Sequence, residues 1–111
     1  MAAGKSSKST SLPKPPKAYQ DFIRAYPKLG EAWELMAEAG RIGPLDEKTI
    51  RLVKLAIAIG TRQEGAVHAG VRKAKAVGIP EQAILQVIAL ASSNIGMPAT
   101  VATYSWIKEM R

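Results

Sequence analysis

Glu64-Gly65-Ala66-Val67-His68 holds the only histidine of a chain that contains no cysteine. Histidine alone changes its charge near neutrality at its unperturbed pKa, and a glutamate four residues earlier on a helix shares its face. One segment can therefore supply an acid-base group and the carboxylate that orients it. The absence of thiols removes disulfides, thiolate catalysis and cysteine-rich zinc sites together, so the available chemistry is proton transfer or none.

Each candidate has a plainer reading. Thr61-Arg62-Gln63-Glu64 fits a capping box, in which the threonine side chain accepts from the N3 amide and the glutamate reaches back to the N-cap amide. A carboxylate held in that way is a poorer proton acceptor and would act on His68 by charge. His68 shares a polar stripe with Glu64, Arg72 and Lys75 and could simply be solvated. Arg51, Arg62 and Arg72 are candidate clamps for an anionic substrate, because guanidinium forks match carboxylate geometry; surface solvation is the alternative for each. One histidine without cysteine makes a structural zinc site a poor fit, and no metal and no cofactor are assigned. Trp33, Trp106, Tyr104 and Met97 read as core before pocket lining, although the Gly96-Met97-Pro98 break is a natural cavity edge.

The elements that must position these residues are helical. Tyr19, Phe22, Ile23 and Tyr26 predict a first helix over about 16–26, entered through Pro15-Pro16 and ended by Pro27. A second, about 28–39, places Leu29, Trp33, Leu35 and Met36 inward and ends at Gly40 in a left-handed cap. Asp46 is a good N-cap for a third helix through about Ile59, and only Lys48, Arg51 and Lys54 interrupt its apolar circumference. Thr61 opens a fourth to about Val77, closed by Gly78, and Pro80 starts a fifth to about Ser93. After the break at 96–98 a sixth runs to about residue 110. No alternating strand pattern occurs, so the fold class is all-α with about six helices.

Length and composition agree with that architecture. The 111 residues are 47% apolar and 23% charged, as expected of one globular domain over residues 16–111. Residues 1–15 are poor in apolar side chains and read as a flexible basic arm. The net charge is +7, but Lys5, Lys8, Lys14 and Lys17 supply four of those charges before residue 18. The rest of the chain, with 12 basic and 9 acidic residues, is close to balanced. Without aromatic side chains interleaved among the basic ones, a solvated tail explains the charge better than specific nucleic-acid binding. No apolar run is long enough for a membrane span and no signal-peptide core is visible, so a cytoplasmic protein is expected. Helices three and five carry more apolar surface than so small a monomer can hide. Self-association would bury it, as would tighter packing within one chain; Ala66, Gly70 and Ala74 form a small-residue stripe that permits close helix approach.

From Tyr26-Pro27 to Pro98 the chain resembles the carboxymuconolactone decarboxylase family, which includes the AhpD-like alkylhydroperoxidases. The likeness rests on the order and spacing of Gly43-Pro44-Leu45-Asp46-Glu47-Lys48-Thr49, Leu55-Ala56-Ile57-Ala58, Val71-Arg72-Lys73-Ala74, Gly78, Pro80-Glu81 and Gly96-Met97-Pro98. It implies an all-α domain assembling as a homotrimer or homohexamer, with active sites near subunit contacts. It also implies a choice of chemistry, since one branch of the family uses a cysteine pair, a histidine and an upstream glutamate to reduce peroxides, and another uses acid-base residues without thiols. Anchored on Val71-Arg72-Lys73-Ala74, the two cysteine positions fall on Gln63 and Ala66, the family histidine on Gly70, and the glutamate on or beside Arg51. The peroxidase relay is missing, and His68 lies two residues before the anchored histidine.

Two functions follow as expectations. One is a cofactor-free lyase-like enzyme with His68 as general acid or base, Glu64 as its orienting partner, and a small anionic or carbonyl-bearing substrate. The other is a non-catalytic oligomeric module of the same descent, with the lysine arm as its docking device.

Overall fold

The computed structural model describes residues 16–110; the expected N-terminal arm and Arg111 lie outside them. Six α-helices follow in order: α1 Lys17–Ala25, α2 Pro27–Gly40, α3 Glu47–Gly60, α4 Glu64–Ala76, α5 Glu81–Ile95 and α6 Met97–Lys108. No strand occurs among the described residues. The helices divide into two compact units, α1 with α2 and α3 through α6.

In the α1–α2 unit, Pro27 occupies the first helical position of α2, where its missing N–H costs nothing, and Tyr26 donates its backbone N–H to Phe22 O to finish α1. The two helices meet at Gly30, where an added Cβ would lie 3.3 Å from Ile23 Cβ. Neither helix buries a residue fully. Leu29, Trp33, Leu35 and Met36, expected inward, are all more than half exposed. Two helices have no enclosed interior between them, so periodicity alone cannot bury these side chains. Gly40 is also not a left-handed cap: it is the last helical residue, and the cap, Arg41, keeps a right-handed backbone with φ −87°.

The α3–α6 unit contains the core. Leu55, Ala58 and Ile59 of α3 and Val67, Val71 and Ala74 of α4 pack with Ile79, with Ile84 and Ile88 of α5, and with Ile107 of α6. Asp46 caps α3 as expected, its Oδ1 accepting the Thr49 N–H at 2.8 Å. α3 and α4 run antiparallel in close contact. A Cβ at Gly70 would lie 3.1 Å from Leu55 Cδ1 and 3.5 Å from Leu55 Cα, so glycine is what permits this approach.

Both ends of the α3–α4 pair close by the same device. After α4, Gly78 takes φ +87°, its N–H binds Lys75 O, and the Ile79 N–H binds Ala74 O. After α3, Arg62 takes φ +59°, its N–H binds Ile59 O, and the Gln63 N–H binds Ala58 O. Both are Schellman closures, the second with arginine in the place where glycine is usual. The expected capping box at 61–64 is therefore overturned. Thr61 belongs to the end of α3, where its hydroxyl donates to Ile57 O at 2.9 Å, and Gln63 is the N-cap of α4 without a side-chain hydrogen bond.

Candidate functional site

With the capping box gone, Glu64 is free to face the histidine. It opens the first turn of α4, half exposed, and its Oε2 lies 3.7 Å from His68 Nε2. That distance permits charge attraction but is too long for a hydrogen bond. Nε2 itself is shielded from solvent and has no hydrogen-bond partner among the described residues. A shielded ring nitrogen without a partner is costly, and whichever group next reaches it, a carboxylate or a ligand, relieves that cost. The imidazole as a whole is about one quarter exposed, at 27%, through atoms other than Nε2.

Two of the three candidate arginines are engaged by other residues. Arg62 sits in the turn two residues before Glu64. Its Nη1 donates to the buried Thr103 Oγ1 of α6, and its guanidinium lies 4.6 Å from the Trp106 ring centroid. These contacts hold the turn against α6 and offset its left-handed backbone; sequence reasoning gave Arg62 a substrate role and missed this structural one. Arg51, on α3, donates Nε to Glu47 Oε2 at 2.9 Å and is only 17% exposed. Arg72 is exposed on α4 at the i+4 position from His68, without an ion pair among the described residues. Glu64, His68 and Arg72 thus form one row along the helix.

On another side of α4, Lys73 is half-buried. Burial first, then the charges of Arg51, Lys54 and Arg72, hold its ammonium below the ordinary lysine range. The sequence offered a signal for this cluster in the basic stripe of α3, but the α4 members become its neighbours only through the register fixed at Gly70.

Two shallow apolar grooves mark the surface of the larger unit. One is lined by Leu52, Val53, Val87, Leu90 and Ile95 of α3 and α5, the other by Leu85, Ile88, Val101 and Tyr104 of α5 and α6. Neither is lined by Glu64 or His68. Met97, expected at a cavity edge, is exposed and lines neither groove, and Trp106 packs against the core. Among the described residues no three His, Asp or Glu side chains converge as a metal site would require. No described helix is long and apolar enough to cross a membrane.

At Gly70, the position that the resemblance aligns with the family histidine, an added Cβ would press on Leu55 Cδ1 at 3.1 Å, so a larger side chain there requires Leu55 to shift. No curated protein and no solved structure gives a significant match to the chain. The family model does match, over residues 27–109, and the chain belongs to the carboxymuconolactone decarboxylase family.

Proposed function

We propose that this family member carries out cofactor-free acid-base chemistry, decarboxylation or a related proton transfer, on a small anionic or carbonyl-bearing substrate. The observation that carries the reading is the shielded, unpartnered His68 Nε2 facing a carboxylate 3.7 Å away. In a decarboxylation, the bond to the carboxylate carbon breaks, CO2 leaves, and the electron pair moves into an adjacent carbonyl as an enolate. His68 then gives its proton to the enolate carbon. Glu64 orients the ring by its charge, and Arg72 is placed to hold a substrate carboxylate from the same helical row. Arg51 and Arg62, engaged by Glu47 and by Thr103 and Trp106, are less available for that task.

The test is turnover of carboxymuconolactone and related keto acids, followed by CO2 release. His68→Ala is expected to lower kcat by about 10²- to 10⁴-fold, and Glu64→Gln by less. Unchanged kcat in His68→Ala would sink the assignment.

We further propose that the chain acts as a homotrimer or homohexamer. Val53, Ile57, Leu90, Val101 and Tyr104 are exposed beside the two grooves, which is more apolar surface than a small monomer usually leaves in water. Sedimentation at micromolar concentration should give a mass of three or six chains; a monomer would contradict this. A non-catalytic module is the second reading, favoured by the Leu55–Gly70 contact at the position that the resemblance aligns with the family's histidine. It predicts a stable oligomer that turns over none of these substrates.

A further inference from the structure

The surface where α3 meets the second half of α4 is built of cations. Leu55 packs against Gly70, and Lys48 Nζ lies near Gly78, 3.8 Å from where a Cβ would stand, which together mark the antiparallel register of the two helices. That register sets Arg51 and Lys54 level with Arg72 and Lys73, with Lys48 one turn further along the same row. Glu47 is the carboxylate of this group, and it is paired with Arg51. Lys54, Arg72 and Lys73 have no ion pair among the described residues, and Lys73 is half-buried between the helices. Like charges gathered around a half-buried ammonium lower stability, and among the described residues Glu47 offsets only the charge of Arg51. An anion held among them would offset the rest.

We propose that Lys54 and Lys73, flanked by Lys48, form a binding site for a small, multiply charged oxyanion of the phosphate or pyrophosphate class. A single carboxylate would match one of these cations; a phosphate presents three or four oxygens and more than one negative charge, which suits ammonium groups from two helices at once. The row contains no aromatic side chain on which a nucleobase could stack, so a small ligand fits it better than a nucleic acid. The site is separate from the acid-base pair. Lys73 lies five residues after His68, roughly 140° around the helix, and the two are expected to act independently.

Isothermal titration of the full chain with sodium pyrophosphate and with inorganic phosphate, at constant ionic strength, tests this. Pyrophosphate is expected to bind one per chain and more tightly than phosphate. Lys54→Met with Lys73→Met should weaken binding roughly tenfold to a hundredfold, with a thermal melt no lower than that of the parent chain. His68→Ala should leave binding unchanged, which separates this site from the proposed reaction, and so should Lys5→Gln, Lys8→Gln and Lys14→Gln in the N-terminal segment. No binding to the parent chain, binding that survives the double substitution, or binding lost with the N-terminal lysines would overturn the proposal. Sedimentation with phosphatidic acid vesicles identifies the source of the phosphate: pelleting that depends on Lys54 and Lys73 assigns a lipid headgroup, and a chain that stays in solution assigns a soluble ligand.

Discussion

Two sides of one helix, α4, carry unsatisfied polar groups for opposite reasons. On the first, His68 lies near a carboxylate, yet its Nε2 is shielded without a hydrogen bond. On the second, Lys73 lies near Arg51, Lys54 and Arg72 and lacks a carboxylate. The first arrangement is short of a hydrogen-bond partner and the second of countercharge. An acid-base group needs the former kind of vacancy and an anion site the latter, which is why separate roles are proposed for them. They also depend on different supports. The entry to the His68 side is fixed by Arg62 on Thr103 and Trp106, and the Lys73 side by the approach of α3 at Gly70.

Breaking the second support should have the largest effect. Leu55→Ala removes a fully buried side chain at the α3–α4 contact and is expected to lower stability by about 2–5 kcal/mol in chemical denaturation. Gly70→His, which places an imidazole where the resemblance aligns the family's histidine, should cost about 1–3 kcal/mol by overpacking against Leu55. If the contact is the cause, the combined substitution will cost less than the two single effects together.

Breaking the first support should cost less. Arg62→Ala leaves the left-handed backbone in place while removing the hydrogen bond to Thr103 and the stacking on Trp106, for an expected loss of about 1–3 kcal/mol. Arg62→Gly loses the same contacts but adopts that backbone freely, and should be the milder of the two. If both variants melt alike, strain at Arg62 is not part of the balance.

The sign of the Lys73 effect sharpens the contrast further. Its lowered pKa means that the folded protein holds the proton less tightly than the unfolded chain, so the stability cost is full at neutral pH. The cost is relieved as pH rises from the folded value toward the ordinary lysine range. Lys73→Met should therefore raise the melting temperature slightly at pH 7, and the gain should shrink in alkaline buffer.

Asp46 gives the smallest effect and the opposite pH direction. Its carboxylate accepts from Thr49 and sits below the ordinary aspartate range, so its contribution is present above that range and lost as pH falls through the folded value. Asp46→Ala should destabilise slightly at pH 7 and scarcely at all in acid, with Asp46→Asn milder at neutral pH because it still caps.

Much of the fold was legible because it is written in local signals. Apolar spacing located six helices, Asp46 marked the start of α3, Gly78 the end of α4, and the Gly96–Pro98 break the junction of α5 and α6. The turn at 61–63 was misread because its chemistry is unusual: arginine occupies a left-handed position where glycine would have announced the stop. The inward placement of the α2 residues failed for another reason, since a helix pattern specifies a face and not what covers it.

The sequence by itself determined the helical class, the family and the exclusion of thiol chemistry, because spacing, landmark order and the absence of cysteine are properties of the chain. It also determined that Glu64 and His68 share a helix face. Only the tertiary structure decided that Glu64 is released from capping, that Arg62 is bound by α6, and that cations of α3 and α4 meet around Lys73. These depend on how helices distant in sequence lie against one another, and the register that sets them follows from a packing contact, Leu55 on Gly70, that no local signal encodes.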